Sequence, residues 1–294
     1  MATSQQTERR SEADAAGMTR DGYVVVRGLL TGDEIEGLRM TALKTIAELQ
    51  RRGLAGADEG PEGLVRVSNC DLLSIPSLRH VLLDRRLLAA VEQLLGGKPY
   101  YFGDSSLRVG KNGGRGWHRD NVDRTRRRGG SDWHNPYGLL RCGLYLQDQA
   151  SHSGGLAVRP RSNDPHRRLP TLPTFVKANA GDLIAWDLRT VHSGEATRLR
   201  GVPWLALSPR LQTLMPQALR APDDRERIVM FMTFGLPGAH LDHYISYCRT
   251  RDYMCSTWTN SRFGPAVLDE AASAGLGIVH PTPEYGTPAD PVRS

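Results

Sequence analysis

Apolar positions change their spacing near residue 99. Before it they recur every three or four residues. In TGDEIEGLRMTALKTIAEL, Ile35, Leu38, Ala42, Ile46 and Leu49 fall on one helical face. Thr31, with Glu34 three positions later, predicts a capping box at the start of that helix. The preceding DGYVVVRGLL predicts a short strand, Tyr23 to Arg27, closed by Gly28. A second helix is expected from Asp84, in DRRLLAAVEQLLGG, with Leu87, Leu88, Val91, Leu94 and Leu95 as its stripe and Gly96 as its stop. The glycine-rich, acidic stretch 53–63 predicts a mobile loop. After residue 99 short apolar runs alternate with turn residues: YYFGDSSLRV, LLRCGLYLQD, GLAVRP, DLIAWD and RIVMFMTFG. Such runs predict the strands of a sandwich or barrel. Helices followed by clustered strands imply a mainly β fold with flanking helices, a jelly roll rather than an alternating α/β sheet.

The expected organisation is a disordered tail over 1–17, one domain over 18–235, and an extension over 236–294 that packs on the core or covers it like a lid. A helix is expected there from His240 to Arg249, and a Pro/Gly-rich end from 275. Composition changes this picture little: 31 glycines and 18 prolines suit many turns. The net charge of +6 could favour an anionic substrate or nucleic acid, but is read first as a merely solvated basic surface; a small-molecule substrate, anionic or not, is expected. The basic run Arg124, Arg126, Arg127 and Arg128 has no interleaved aromatics, so no nucleic-acid partner is expected. Four cysteines without a C-x-x-C pair predict reduced thiols and a cytoplasmic protein. No apolar leader and no run of about 18 apolar residues is present, so no signal peptide and no membrane partner is expected.

The chemistry concentrates in GWHRDNVD. His118 and Asp120 stand two apart, and on a strand they would share one face. Two ligands hold a ferrous ion poorly. His192, read as the end of the strand in AGDLIAWDLRTVHSG, offers a third. Two histidines and one carboxylate leave coordination positions open for a co-substrate and oxygen. His240-Leu-Asp242, followed by His243, repeats the pattern in a helical context, where residues two apart diverge; it carries little weight as a metal site. A 2-oxoglutarate carboxylate would need an arginine fork. Arg227 is preferred because it shares a strand face with Val229 and Phe231; Arg225 and Arg108 are the alternatives. The loop DRTRRRGGSDWHNPYG could overhang the site, with Trp117, Trp133, His134, Tyr137 and Arg126 as candidate substrate contacts.

Taken together these segments resemble the phytanoyl-CoA dioxygenase family of Fe(II)- and 2-oxoglutarate-dependent oxygenases. The likeness spans roughly residues 20–235. DGYVVVRGLLTGDEIEGL and DRRLLAAVEQLLGGKPYYF look like the family's opening elements, and GWHRD matches its Trp-His-x-Asp motif. SGGLAVRPRSN and AGDLIAWDLRTVHSG are similar to its later hairpin and distal-histidine segment. The resemblance implies a double-stranded β-helix of cupin type, with His118, Asp120 and His192 as iron ligands. It implies Arg227 as the 2-oxoglutarate arginine, because Phe234 follows it by the family's seven positions whereas Arg225 breaks that spacing. The chain departs from the family in a long segment between His192 and Arg227, and in Asn163 where histidine is usual. The implied cofactors are Fe(II), 2-oxoglutarate and dioxygen. The implied reaction is oxidation of a small molecule's C–H bond, hydroxylation by default, with succinate and carbon dioxide as co-products, in secondary metabolism. Cyclisation, desaturation or epimerisation would use the same cofactors. Asp120 fills the position that halogenases leave open for chloride. A non-catalytic jelly-roll binding protein is the alternative of another class, against which the complete ligand set argues.

Overall fold

A computed structural model describes residues 15–113, 116–125, 130–167, 171–202, 205–207, 211–212, 214–261 and 263–280. After a helical stretch α1 (15–21) comes strand β1 (Tyr23–Val26). Helix α2 (Gly32–Arg51) begins as its sequence requires: the Thr31 side chain accepts from Glu34, whose carboxylate answers the Thr31 amide. Leu38, Ala42, Ile46 and Leu49 are buried along it. A short α3 (Arg79–Leu82) precedes α4 (Arg85–Leu95). Asp84 caps α4 through the amides of Arg86 and Leu87, and Gly96 ends it at φ 73°, a conformation that costs glycine little.

The strands are β2 (Ala55–Gly60), β3 (Gly63–Ser68), β4 (Tyr100–Tyr101), β5 (Ser105–Gly110), β6 (Leu139–Tyr145), β7 (Gly155–Val158), β8 (Thr174–Phe175), β9 (Leu183–Asp187), β10 (His192–Ala196), β11 (Ile228–Gly235) and β12 (Gly277–Ile278). Among the described residues, one sheet runs β1-β9-β6-β11-β5-β3-β2, with β4 joined to the last residue of β11 and β12 joined to β4; the second runs β10-β7-β8. The large sheet is antiparallel except where β12 joins β4. With the second sheet facing it, this is a double-stranded β-helix flanked by helices. Side-chain parity assigns the two faces of the large sheet. Leu140, Cys142, Leu144, Met230 and Met232 pack with the helices, whereas Tyr145, Ile184, Trp186 and Val229 pack with Leu156 and Val158 of the small sheet. The inner face therefore carries the odd-numbered side chains of β6 and β11. No helix among the described residues is long and apolar enough to cross a membrane.

Several expectations change. Residues 53–63 are not a loop: they form most of the β2–β3 hairpin, in register from Ala55↔Ser68 to Gly60↔Gly63. β2 lies at the sheet edge, so AGADEG needs only one partner, and a Cβ at Gly60 would stand 2.0 Å from the Asn112 carbonyl. His192 does not end β9; a turn over 188–191 intervenes and His192 opens β10 in the other sheet. His118 lies on no strand, and pairs with His192 through an isolated bridge. Of the tail expected to be disordered, residues 1–14 lie outside the described residues and 15–17 are helical. The extension holds three helices, α5 (Ala239–Cys248), α6 (Asp252–Asn260) and α7 (Pro265–Ser273), where one was expected.

Candidate metal centre

Backbone hydrogen bonds draw residues 118–121 onto the turn before β10. His118 and His192 exchange both amide bonds, at 3.0 and 2.9 Å, and the Asp120 amide donates to the Leu188 carbonyl at 2.9 Å. Three side chains converge as a result: the candidate ligand atoms of His118, Asp120 and His192 all lie within 4.8 Å of one another. His118 Nδ1 is 2.8 Å from the Gly116 carbonyl and His192 Nδ1 is 2.9 Å from the Thr190 carbonyl. A carbonyl only accepts, so Nδ1 must carry the proton in each ring. In its neutral form each ring then presents an unprotonated Nε2, the lone pair a metal requires. Both Nε2 atoms face the same carboxylate, His118 at 3.8 Å from Asp120 Oδ1 and His192 at 3.4 Å from Oδ2. Burial, partly offset by Asp120, lowers the His192 pKa to about 4.

Asp120 has a second neighbour that sequence reasoning missed. Arg141, on the inner face of β6, donates to Asp120 at 3.2 Å, to Asp104 at 2.7 Å and to Thr233 at 3.0 Å. Burial alone would raise the Asp120 pKa, but the Arg141 guanidinium leads the groups that outweigh it and hold the carboxylate well below its usual range. The signal was a lone charge in the apolar run LLRCGLYL, which must find partners when its strand is buried.

The three residues open into a cavity of about 430 Å³. Arg227, Arg108, Phe231 and Glu195 form one end of it. Arg227 donates to the Gly154 carbonyl at 2.9 Å, lies 3.9 Å from Glu195, and stacks 5.7 Å above the Tyr145 ring. Arg108 lies over Phe231 at 5.4 Å. Arg225, by contrast, is on the outside, paired with Glu36 of α2, because it precedes the strand by three residues and turns toward that helix. Of the aromatic candidates none lines the cavity. Trp117 packs against Ala157, Phe175 and Ala196 on the far face of the small sheet. Trp133 is buried, its indole donating to the Asp123 carbonyl at 2.9 Å. His134 is exposed, and Tyr137 lies under Arg189, 4.2 Å from its ring. Arg126 lies outside the described residues. The described part of the loop after Asp120 packs on α5, where Ser131 meets His240 and His243.

His243 does approach two carboxylates, but not those beside it in sequence. It meets Asp123 and Asp132, with 3.3 Å between its Nδ1 and Asp132 Oδ1. The same Nδ1 is 2.8 Å from Ser131 Oγ. Asp132 Oδ2 accepts from Asn121 at 3.0 Å and from the Asp123 amide at 2.8 Å.

The sequence profile described as phytanoyl-CoA dioxygenase (PhyH) matches residues 18–200. No curated protein sequence matches the chain. Several solved structures share its fold. The 2-oxoglutarate-dependent epimerase SnoN of nogalamycin biosynthesis is 19% identical, with 78% of this chain and 84% of that one covered and a TM-score of 0.54. AviO1 from Streptomyces viridochromogenes Tue57 is 19% identical over 78% of this chain and 96% of that one, with a TM-score of 0.53. EctD from S. alaskensis in its apoform is 18% identical over 76% of each chain, with a TM-score of 0.50.

Proposed function

Because this chain belongs to the phytanoyl-CoA dioxygenase family of Fe(II)- and 2-oxoglutarate-dependent oxygenases, we propose that it oxidises a C–H bond of a small anionic molecule in the cytoplasm, by hydroxylation, within secondary metabolism. The observation that carries this reading is the pair of Nε2 lone pairs aimed at one carboxylate in an open cavity. His118, Asp120 and His192 would hold the iron. The donor set fits, with two neutral imidazoles and one ionised carboxylate, and with the other three coordination positions left to co-substrate and oxygen.

Arg227 would take the distal carboxylate of 2-oxoglutarate. Its support is its place in the wall of the metal cavity, buried over the Tyr145 ring on the inner face of the large sheet. Arg108 lies at the same end and would add to the attraction. When bound, iron and 2-oxoglutarate supply an oxidant able to remove hydrogen from carbon, with succinate and carbon dioxide as co-products. The protein's own part is positional. The Gly116 and Thr190 carbonyls fix the two ring orientations, and Arg141 keeps Asp120 ionised and aimed. Trp186, its ring 5.4 Å from that of His192, closes the apolar side. Epimerisation, the reaction named for SnoN, would begin from the same hydrogen removal.

Anaerobic titration of the full chain with Fe(II) and 2-oxoglutarate tests this reading. The weak visible charge-transfer band of the chelated co-substrate should appear for the wild type and vanish in His192→Ala. No band for the wild type, or an unchanged band in the variant, would overturn the assignment.

A further inference from the structure

The cavity wall also takes in the segment that opens α6: Arg251, Tyr253, Met254 and Thr257 line it, on the side of Asp104 and Arg141, whose partner Thr233 stands six residues along β11 from Arg227. This segment lies beyond residue 200, where the family match stops. His118, Asp120 and His192 lie inside the matched residues, whereas Arg251, Tyr253, Met254 and Thr257 lie outside them.

The charges on the wall are unbalanced in a particular place. Among the described residues, arginines 108, 141, 227 and 251 face three carboxylates, Asp104, Asp120 and Glu195. Arg141 is consumed by Asp104 and Asp120. Arg227 faces Glu195. Fe(II) and the 2-oxoglutarate dianion bring equal and opposite charge, with the carboxylate of the latter assigned to the Arg227 and Arg108 end. The excess positive charge is then left at Arg251, which no described carboxylate pairs and whose contacts are with rings. Its guanidinium lies 5.7 Å from the Tyr247 and 5.7 Å from the Tyr253 ring centroids. An arginine stacked in this way is oriented by its faces and keeps its edge N–H groups for a ligand. Tyr247 is itself held by Arg124, which donates to its hydroxyl at 2.7 Å.

Tyr253 adds a second observation. It is 59% exposed, a large aromatic ring left open beside the cavity. Its hydroxyl is a neutral hydrogen-bond donor, since a phenol ordinarily ionises only at about pH 10. Met254, buried in the core at this point, forms the apolar backing of the wall next to it.

Resting on the oxygenase reading, we propose that α6 is the substrate-selecting element: Arg251 binds the substrate's carboxylate or phosphate, and Tyr253 and Met254 hold an apolar body that reaches toward the metal site. Carboxylate and phosphate share the same recognition by an arginine edge, and the test separates them.

The test uses the full chain loaded anaerobically with Fe(II) and 2-oxoglutarate. Calorimetric titration compares phenyl phosphate and phenylacetate with neutral benzyl alcohol and phenylacetamide. At least one anion should bind about 10-fold or more tighter than its neutral counterpart, as expected for hydrogen bonds to a charged group. R251Q should abolish that preference, and R251K should retain part of it, since lysine keeps the charge and loses the planar fork. The midpoint for 2-oxoglutarate should not move in R251Q, because its cation is Arg227. Equal binding of anion and neutral probe, no binding of any probe, or a preference that survives R251Q would each overturn the proposal. A missing charge-transfer band in the wild type would instead count against the oxygenase reading, so the two failures are distinguishable.

Discussion

His118, Asp120 and His192 form a cluster of two histidines and a carboxylate; Asp123, Asp132 and His243, beginning three residues after Asp120, form one of two carboxylates and a histidine. Each gathers its atoms within the same 4.8 Å. In the first, backbone carbonyls occupy Nδ1 of both rings and leave each Nε2 facing into a cavity. In the second, the nitrogen that faces Asp132 also faces Ser131, and Asp132 is fully buried with its other oxygen bonded to Asn121 and an amide. None of its three residues lines the cavity. The carboxylates differ too: Asp120 has a guanidinium at 3.2 Å, whereas Asp132 has an imidazole nitrogen at 3.3 Å. Ligand-type residues in proximity do not make a metal centre. Lone pairs must be left over after the protein has used its own, and they must point where an ion can enter. The second cluster acts as a clamp, fastening the loop after Asp120 to α5.

The comparison is most exposed where charge is buried. Arg141→Met leaves Asp120 and Asp104 without their shared cation. It should cost the metal-free protein about 3–5 kcal/mol, the usual loss when one side of a buried ion pair is removed. His243→Ala leaves the two bonds to Asp132 Oδ2 in place and should cost about 1–3 kcal/mol. Urea denaturation measures both, and the reverse order would break the distinction. Iron affinity sharpens it next. Loss of a ligand should exceed the roughly 10–100-fold penalty typical of the groups that merely orient ligands, so His192→Ala should weaken Fe(II) binding more than about 100-fold, and His243→Ala should leave it unchanged. Equal losses would mean that the two clusters work as one site.

Acidity gives the finest test. The His192 pKa of about 4 in the fold lies below its ordinary 6.5. Between those values the unfolded chain takes up a proton that the folded chain refuses. The stability is therefore complete above pH 6.5, falls as the pH drops toward 4, and levels off below. The loss for the metal-free protein should be on the order of 3 kcal/mol. His192→Gln should flatten this part of the profile. A wild-type profile flat from pH 7 to 4 would remove the claim that burial keeps this imidazole neutral.

Local signals were legible in the sequence. The capping box at Thr31 and the Asp84 and Gly96 boundaries of α4 depend on a few neighbouring residues, and the structure reproduces them. The strand cluster was legible for the same reason. The β2–β3 hairpin was not, because AGADEG owes its extended form to a partner strand. The break between β9 and His192 was missed because LRTV contains no glycine or proline. The turn is made instead by Asp187, whose carboxylate accepts from the Arg189 amide at 2.8 Å and whose carbonyl accepts from the Thr190 amide at 2.8 Å. His118, Asp120 and His192 could be named because their residue types announce chemistry. Arg141, Glu195 and the α6 wall could not, since their roles come from tertiary packing. Trp133 and Tyr137 were suspected as substrate contacts through nearness in sequence to Asp120, yet both serve the clamp side of that loop.

The two amide bonds exchanged by His118 and His192 have a consequence for assembly. They join the segment bearing the H-x-D motif to the strand bearing the distal histidine, and they couple the two rings to a single seam. A one-residue slip along that seam would turn a ring aside and separate the pair. The site cannot be half built: it forms when the seam zips in register or does not form at all, and an ion held there would act as a rivet through the last stitch.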